Sequence, residues 1–146
     1  VNLDNLVIST KENEGFRGEV YQCSLGFDTI GFGTKLPISK KEATVLLRMR
    51  LNDKIEELER RKPLFTQLPN EVQEILAEMT YQIGVTGLLK FRKTWLYLEE
   101  NEFESASIEM LDSKWYRQMH EADMRDGKDS INRAEELSQR MAMVQN

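Results

Sequence analysis

Two periods of apolar residues run along this chain, and the places where one gives way to the other divide it. Leu3, Leu6, Val7 and Thr10 recur at helical spacing, so a short amphipathic helix is predicted that Glu14 ends and Gly15 stops. A period of two then takes over. Glu19-Val20-Tyr21-Gln22 and Phe27-Asp28-Thr29-Ile30-Gly31-Phe32 read as two short strands around a Ser24-Leu25-Gly26 turn, a β-hairpin. Alternation along the second strand places Thr29, Gly31 and Gly33 on one face and Asp28, Ile30 and Phe32 on the other. Glycines on the face of Thr29 leave room for a ligand to approach the backbone. Lys35-Leu36-Pro37 closes the region.

Helical spacing returns at Ser39-Lys40-Lys41-Glu42, which has the Ser-x-x-Glu form of a capping box. Ala43, Leu46, Leu47, Leu51, Ile55 and Leu58 form the apolar face of a long helix to Arg61, and Pro63 stops it. Pro69 suits the first turn of the next helix, whose core face is Val72, Ile75, Leu76, Met79 and Ile83 and whose end is Gly84. Thr86 to Phe91 reads as a tight turn. Trp95 and Leu98 predict a helix from about Arg92 to Glu100; Phe103, Ala106, Ile108 and Leu111 predict another to Asp112. Lys114 to Met119 is an aromatic turn and a polar loop runs through Gly127 and Lys128. Asp129 or Ser130 caps a last helix through Met143. The fold class is α+β, predominantly α, in one folding unit spanning 1–146. A small β-hairpin lobe covers about 14–37 and a connecting helix 39–61; a larger helical lobe over 64–146 takes in the N-terminal helix.

Composition narrows the function. With 146 residues and 40% hydrophobic content, the chain is long enough for a real core. The seven methionines read as core filler. One cysteine, Cys23, excludes a disulfide framework and suits a reducing cytoplasm. No run approaches the roughly 20 apolar residues of a membrane helix, and no stable membrane insertion is expected. The sequence opens at Val1 rather than Met, so the lack of a visible signal peptide excludes neither a leader nor an anchor. The net charge is −5, with ten acidic against four basic residues between Glu99 and Asp129, an acidic flank. Nucleic-acid binding is disfavoured by the missing basic stripe. His120 stands alone beside Glu121 and Asp123, and no Cys/His cluster has ligand spacing, so neither metal nor cofactor is expected.

Candidate chemistry gathers between Glu14 and Gly33: a helix-end carboxylate, a cysteine, and a hydroxyl on a glycine-floored strand, a combination suited to cleaving a polymer. Glu14-Gly15-x-Arg17-x-x-x-Tyr21, then Thr29-Ile30-Gly31-x-Gly33, resembles the opening of the phage lysozymes, the glycoside hydrolase group of the T-even bacteriophage enzyme. The family motif is Glu, eight residues, Asp or Cys, five residues, Thr, met here by Glu14, Cys23 and Thr29. The resemblance continues in order through Tyr81-Gln82-x-Gly84, Thr86-Gly87, Phe91, Lys114-Trp115-Tyr116-x-Gln118 and Asn132-Arg133-Ala134.

It implies a lysozyme-like fold of two lobes with a cleft, and cleavage of peptidoglycan between N-acetylmuramic acid and N-acetylglucosamine. Glu14 is then the general acid, Arg133 lies near it, and Thr29 holds the attacking water. Tyr81, Gln82, Thr94 and Gly31 bind substrate. Lys35 and Glu109 replace an apolar and an amide residue at positions that the T-even bacteriophage enzyme uses for substrate. The implied partners are peptidoglycan glycan strands and, for passage from the host bacterial cytoplasm at lysis, a holin; a monomer is the default.

Each role has a plainer counterpart. A helix-end Glu is ordinarily a solvated charge, and Arg133 in a surface pair would be unremarkable. Cys23 is either the group that manages the water or a small packed side chain; Asp28, the other carboxylate nearby, is turned to the opposite face of the strand. Trp115 and Tyr116 read as core rather than binding platform. A lone catalytic Glu also fits a lytic transglycosylase, and a silenced relative that binds the wall without cutting is the reading from another class.

Overall fold

Asn2 starts the first helix: its side chain accepts a hydrogen bond from the Asn5 N–H at 3.0 Å, satisfying one of the donors a helix start leaves open. Helix α1 (Leu3–Glu14) ends where Gly15 takes φ 70° and returns its N–H to the Lys11 carbonyl at 3.0 Å. A residue with a Cβ is strained at that φ, so the sequence marks the stop. The computed structural model describes residues 1–113, 115–117 and 133–145. Lys114, Gln118, His120, the loop through Gly127 and Lys128, the Asp129 or Ser130 cap and Asn132 lie outside them, as does much of the acidic flank.

The described chain is predominantly helical with one small antiparallel sheet, the α+β, lysozyme-like class expected. It separates into two compact units, 1–47 and 48–146. The first holds α1, the sheet and the start of α2 (Lys40–Arg61). Strands β1 (Arg17–Gln22), β2 (Asp28–Gly31) and β3 (Thr34–Lys35) lie in sequence order. Tyr21 pairs with Thr29 and Gln22 with Asp28; on the other side Thr29 pairs with Lys35 and Ile30 with Thr34. The register between β1 and β2 is broken between Arg17 and Tyr21. The third strand corrects the hairpin expected from sequence. Gly31 and Gly33, both at positive φ, form the turn into it with Phe32 rather than prolonging the alternation of β2.

This unit is held together mainly by its surface. Phe16 and Phe32 meet at 5.4 Å between centroids, and the Lys11 ammonium lies 5.0 Å over the Phe32 ring, which ties α1 to the β2–β3 turn. Only Thr29 among residues 1–47 is buried. The Ser39 capping box forms as read: Ser39 N–H donates to Glu42 Oε1 at 2.9 Å and Glu42 N–H to Ser39 Oγ at 3.1 Å. The Ser39 N–H and hydroxyl hold the Glu42 carboxyl below its ordinary pKa.

The apolar face of α2 is used at its far end, where Leu58 is buried and Ile55 packs on the core; Leu46 and Leu47 are exposed. Pro63 follows its end and opens a 3₁₀ turn (Pro63–Gln67). Helix α3 (Asn70–Leu89) buries Val72, Ile75, Leu76 and Met79. Gly84 breaks its geometry at φ 78°, ψ 162°, but the chain resumes helix afterwards, where a tight turn was expected. Helices α4 (Arg92–Glu99), α5 (Phe103–Leu111) and α6 (Arg133–Ala142) complete the described elements of this unit.

Helix α5 buries Phe103, Ala106, Ser107 and Met110, spaced three and four apart; Ile108, expected in the core, falls off that stripe and is 66% exposed. Met79, Met110 and Met141 are core filler, whereas Met49 and Met143 are exposed, so the expectation for all seven was too broad. Trp95 and Trp115 are buried, each indole N–H satisfied: Trp95 by the Leu88 carbonyl at 3.1 Å, Trp115 by Gln82 Oε1 at 2.9 Å. A buried Ser138 hydroxyl donates to the Ser107 carbonyl at 2.8 Å and pins α6 to α5.

Candidate active site

Glu14 stands where α1 stops, and the geometry of that stop aims its side chain. With Gly15 turning the chain into β1, the exposed Glu14 carboxylate lies against Gly33 in the β2–β3 turn. A Cβ on residue 33 would sit 2.7 Å from Glu14 Oε2 and 2.8 Å from its Cδ, closer than any real contact, and Gly33 also holds φ 76°. Gly33 thus has two reasons to be glycine, and one of them is the carboxylate. The open backbone read from sequence as room for a ligand is filled at Gly33 by Glu14; at Gly31, φ 71°, the space remains open.

Cys23 and Thr29 are brought together by the first hairpin. Cys23 N–H donates to the Phe27 carbonyl at 3.0 Å and Gly26 N–H to the Cys23 carbonyl at 2.8 Å, closing the turn. Thr29, 1% exposed, donates its hydroxyl proton to the Phe27 carbonyl at 2.8 Å. The half-buried Cys23 thiol is drawn below its ordinary pKa by the Phe27 and Leu25 backbone N–H groups, then by the Thr29 hydroxyl and the positive field of Lys35; desolvation opposes them. A threonine hydroxyl has one proton and two lone pairs. With its proton given to Phe27, the buried Thr29 hydroxyl keeps its oxygen lone pairs as acceptors. Asp28, opposite Gln22 and one residue from Thr29, is on the other face, as alternation required.

Arg17 stacks its guanidinium 4.5 Å over the Tyr21 ring, joining two residues of the opening motif on β1. The second unit holds the other expected residues. Tyr81 is 49% exposed on α3. Gln82 is half-buried with its oxygen committed to Trp115. Thr94 is buried and lines a pocket of about 250 Å³ with Phe91, Arg92, Lys93, Glu109 and Asp112. Arg133, expected beside the acid, is the first residue of α6 and is exposed.

The model of the family described as "Phage lysozyme" matches residues 11–135, a span that holds Glu14, Cys23 and Thr29 and most of the 146-residue chain. The chain belongs to the phage lysozyme family. No curated protein matches it. Membership carries peptidoglycan-hydrolysing, glycoside hydrolase activity at the level of the family. Among the described residues of this family member, no helix is long and apolar enough to cross a membrane, and no group of three or more His, Cys, Asp or Glu is arranged to hold a metal ion.

Two parts of the site escaped the sequence reading: Gly33 as the seat of the carboxylate, and Lys35 on the face of Cys23. The Gly31-x-Gly33 spacing was itself a signal, since two positive-φ residues around one aromatic mark a turn. What it omitted was the strand beyond, at two residues too short to show a period.

Proposed function

We propose that this chain is an endo-acting muramidase that hydrolyses the β-1,4 bond between N-acetylmuramic acid and N-acetylglucosamine. Protonated Glu14 donates to the glycosidic oxygen as the C–O bond breaks, and the leaving sugar departs as an alcohol. Cys23 as thiolate takes a proton from a water whose oxygen attacks the anomeric carbon from the opposite face. The atoms balance as simple hydrolysis: the proton lost by Glu14 and the one gained by Cys23 are exchanged with solvent before the next turnover. Thr29, whose oxygen can accept a hydrogen bond, holds the attacking water. Gly31, Tyr81, Gln82 and Thr94 are the proposed saccharide contacts, and Arg133 the proposed support of the acid.

The observation that carries this reading is the Glu14 carboxylate set against Gly33 in the turn beside the strand of Thr29, in a chain that the phage lysozyme family matches over residues 11–135. The protein acts as a monomer on glycan strands, without nucleic acid, reaching the wall from the host cytoplasm at lysis with the help of a holin.

The test is mass spectrometry of the soluble products from purified peptidoglycan. Fragments ending in reducing N-acetylmuramic acid are expected, and Glu14→Gln should lose activity by about 10²–10⁴-fold, the usual range for a general acid. Anhydro ends would make the chain a transglycosylase. Wall binding that persists in Glu14→Gln, with no fragments from wild type, would make it a binding relative.

A further inference from the structure

The sheet shows what surrounds the sulfur. Directly paired residues on neighbouring antiparallel strands share a face. Tyr21 pairs with Thr29 and Thr29 with Lys35, so the three form one row across the sheet. Cys23 lies one residue beyond β1, but its N–H to the Phe27 carbonyl at 3.0 Å carries the pairing on past Gln22–Asp28, so two residues after Tyr21 it falls on the same side. The row places Lys35 on the face of the candidate water-activating group.

The other charged groups are placed differently. On β1, Arg17 is engaged with the Tyr21 ring, and Glu19 lies in the stretch where the register is broken. On β2, Asp28 occupies the opposite face. From α1, the Glu14 carboxylate sits against Gly33 in the turn beyond the row. Arg17, paired with Gly31, shares the face but is stacked on Tyr21, so Lys35 is the cation within the row through Thr29.

We propose that Lys35 is a positioning residue for Cys23: from its place across the row, its ammonium holds the sulfur in the anionic form that the hydrolytic step uses. The proposal rests on the reading of Cys23 as the group that activates water. It follows from Coulomb attraction between partly exposed groups, so it is modest and weakened by salt. The direction agrees with the lowering of the Cys23 thiol by Lys35.

Because Cys23 is the only cysteine, alkylation reads it without ambiguity. The full chain is treated with iodoacetamide across a range of pH and the mass increment is followed in wild type, Lys35→Met and Lys35→Arg. Lys35 is exposed on a strand paired through its backbone, so both variants should fold, which circular dichroism checks. Lys35→Met should move the alkylation profile to higher pH and slow the reaction near neutrality by about two- to fivefold, the span an exposed pair supports. Lys35→Arg should restore it, and 1 M salt should narrow the gap between wild type and Lys35→Met. The lytic pH profile of Lys35→Met should move the same way. Coincident alkylation profiles for wild type and Lys35→Met overturn the coupling. Full lysis by Cys23→Ser overturns the role that the coupling serves, so the two failures are told apart.

Discussion

Gly33→Ala tests the arrangement of the acid most directly. The new methyl carbon would stand 2.7 Å from Glu14 Oε2, against an ordinary contact that begins at 3.4 Å. One of the two must give by about 0.7 Å. Residue 33 is fixed in a tight turn between paired strands, whereas the carboxylate is the end of a flexible, exposed side chain, so Glu14 moves. The stability cost is then the backbone strain of an L-residue at φ 76°, about 1–2 kcal/mol, partly offset by about 0.4–1 kcal/mol from the stiffer unfolded chain. For a chain of this size the net loss lowers Tm by about 2–4 °C.

The catalytic cost is larger. Misplacing a reacting group by ~1 Å loses about 10²-fold, so a tenfold loss or more is expected here. Gly84→Ala is the matched control, with φ 78° and nothing within 4 Å of the added carbon. Thermal melting and wall turbidity are measured for both. Similar Tm losses with a lytic defect confined to Gly33→Ala support the geometry; equal lytic rates would refute it.

Other consequences are open to measurement. Because the folded Cys23 thiol lies below its ordinary value, lysis should rise with pH through that lowered value, and Cys23→Asp should carry the rise to much lower pH, read from rates at fixed ionic strength. Ser39→Ala removes a capping bond and should destabilise the start of α2 by about 1 kcal/mol near neutrality. The folded Glu42 carboxyl is depressed, so its stabilisation is present above the unfolded value and lost as pH falls through the folded one; the Tm difference between Ser39→Ala and wild type should shrink in acid. Ser138→Ala strips the Ser107 carbonyl of a buried donor and should cost about 1–3 kcal/mol by urea titration. Leu58→Ala, at a fully buried position, should cost about 2–5 kcal/mol in the same assay.

Punctuation was the most readable part of the sequence. Gly15, the Ser39–Glu42 box and Pro63 each act through their own backbone or a neighbour three residues away, so local chemistry was enough to place them. Trp115, read as core although it stands in an aromatic turn, is buried, as a large apolar ring usually is. What failed needed a second element. Ile108 looked like core until the stripe of α5 was set by its packing against α4 and α6. Strand β3 offers two residues, too few for a period, and without it neither the Glu14–Gly33 approach nor the place of Lys35 can be drawn. Gly84 was rightly read as a break, but nothing in the local sequence told that the helix would resume beyond it.

The shortage of burial in the first unit has a consequence for motion. Among the described residues, the buried apolar side chains, from Leu58 to Met141, belong to the second unit, while residues 1–47 bury Thr29 and nothing else. Cooperative opening energies follow buried contacts, so amides of the three strands should exchange with deuterium through cheap local excursions while those of α3 exchange only near global unfolding. A protease would find the strands first. The proposed chemistry thus belongs to the part of the chain that opens most readily, and the lifetime of the active arrangement is set by a few surface contacts rather than by the core.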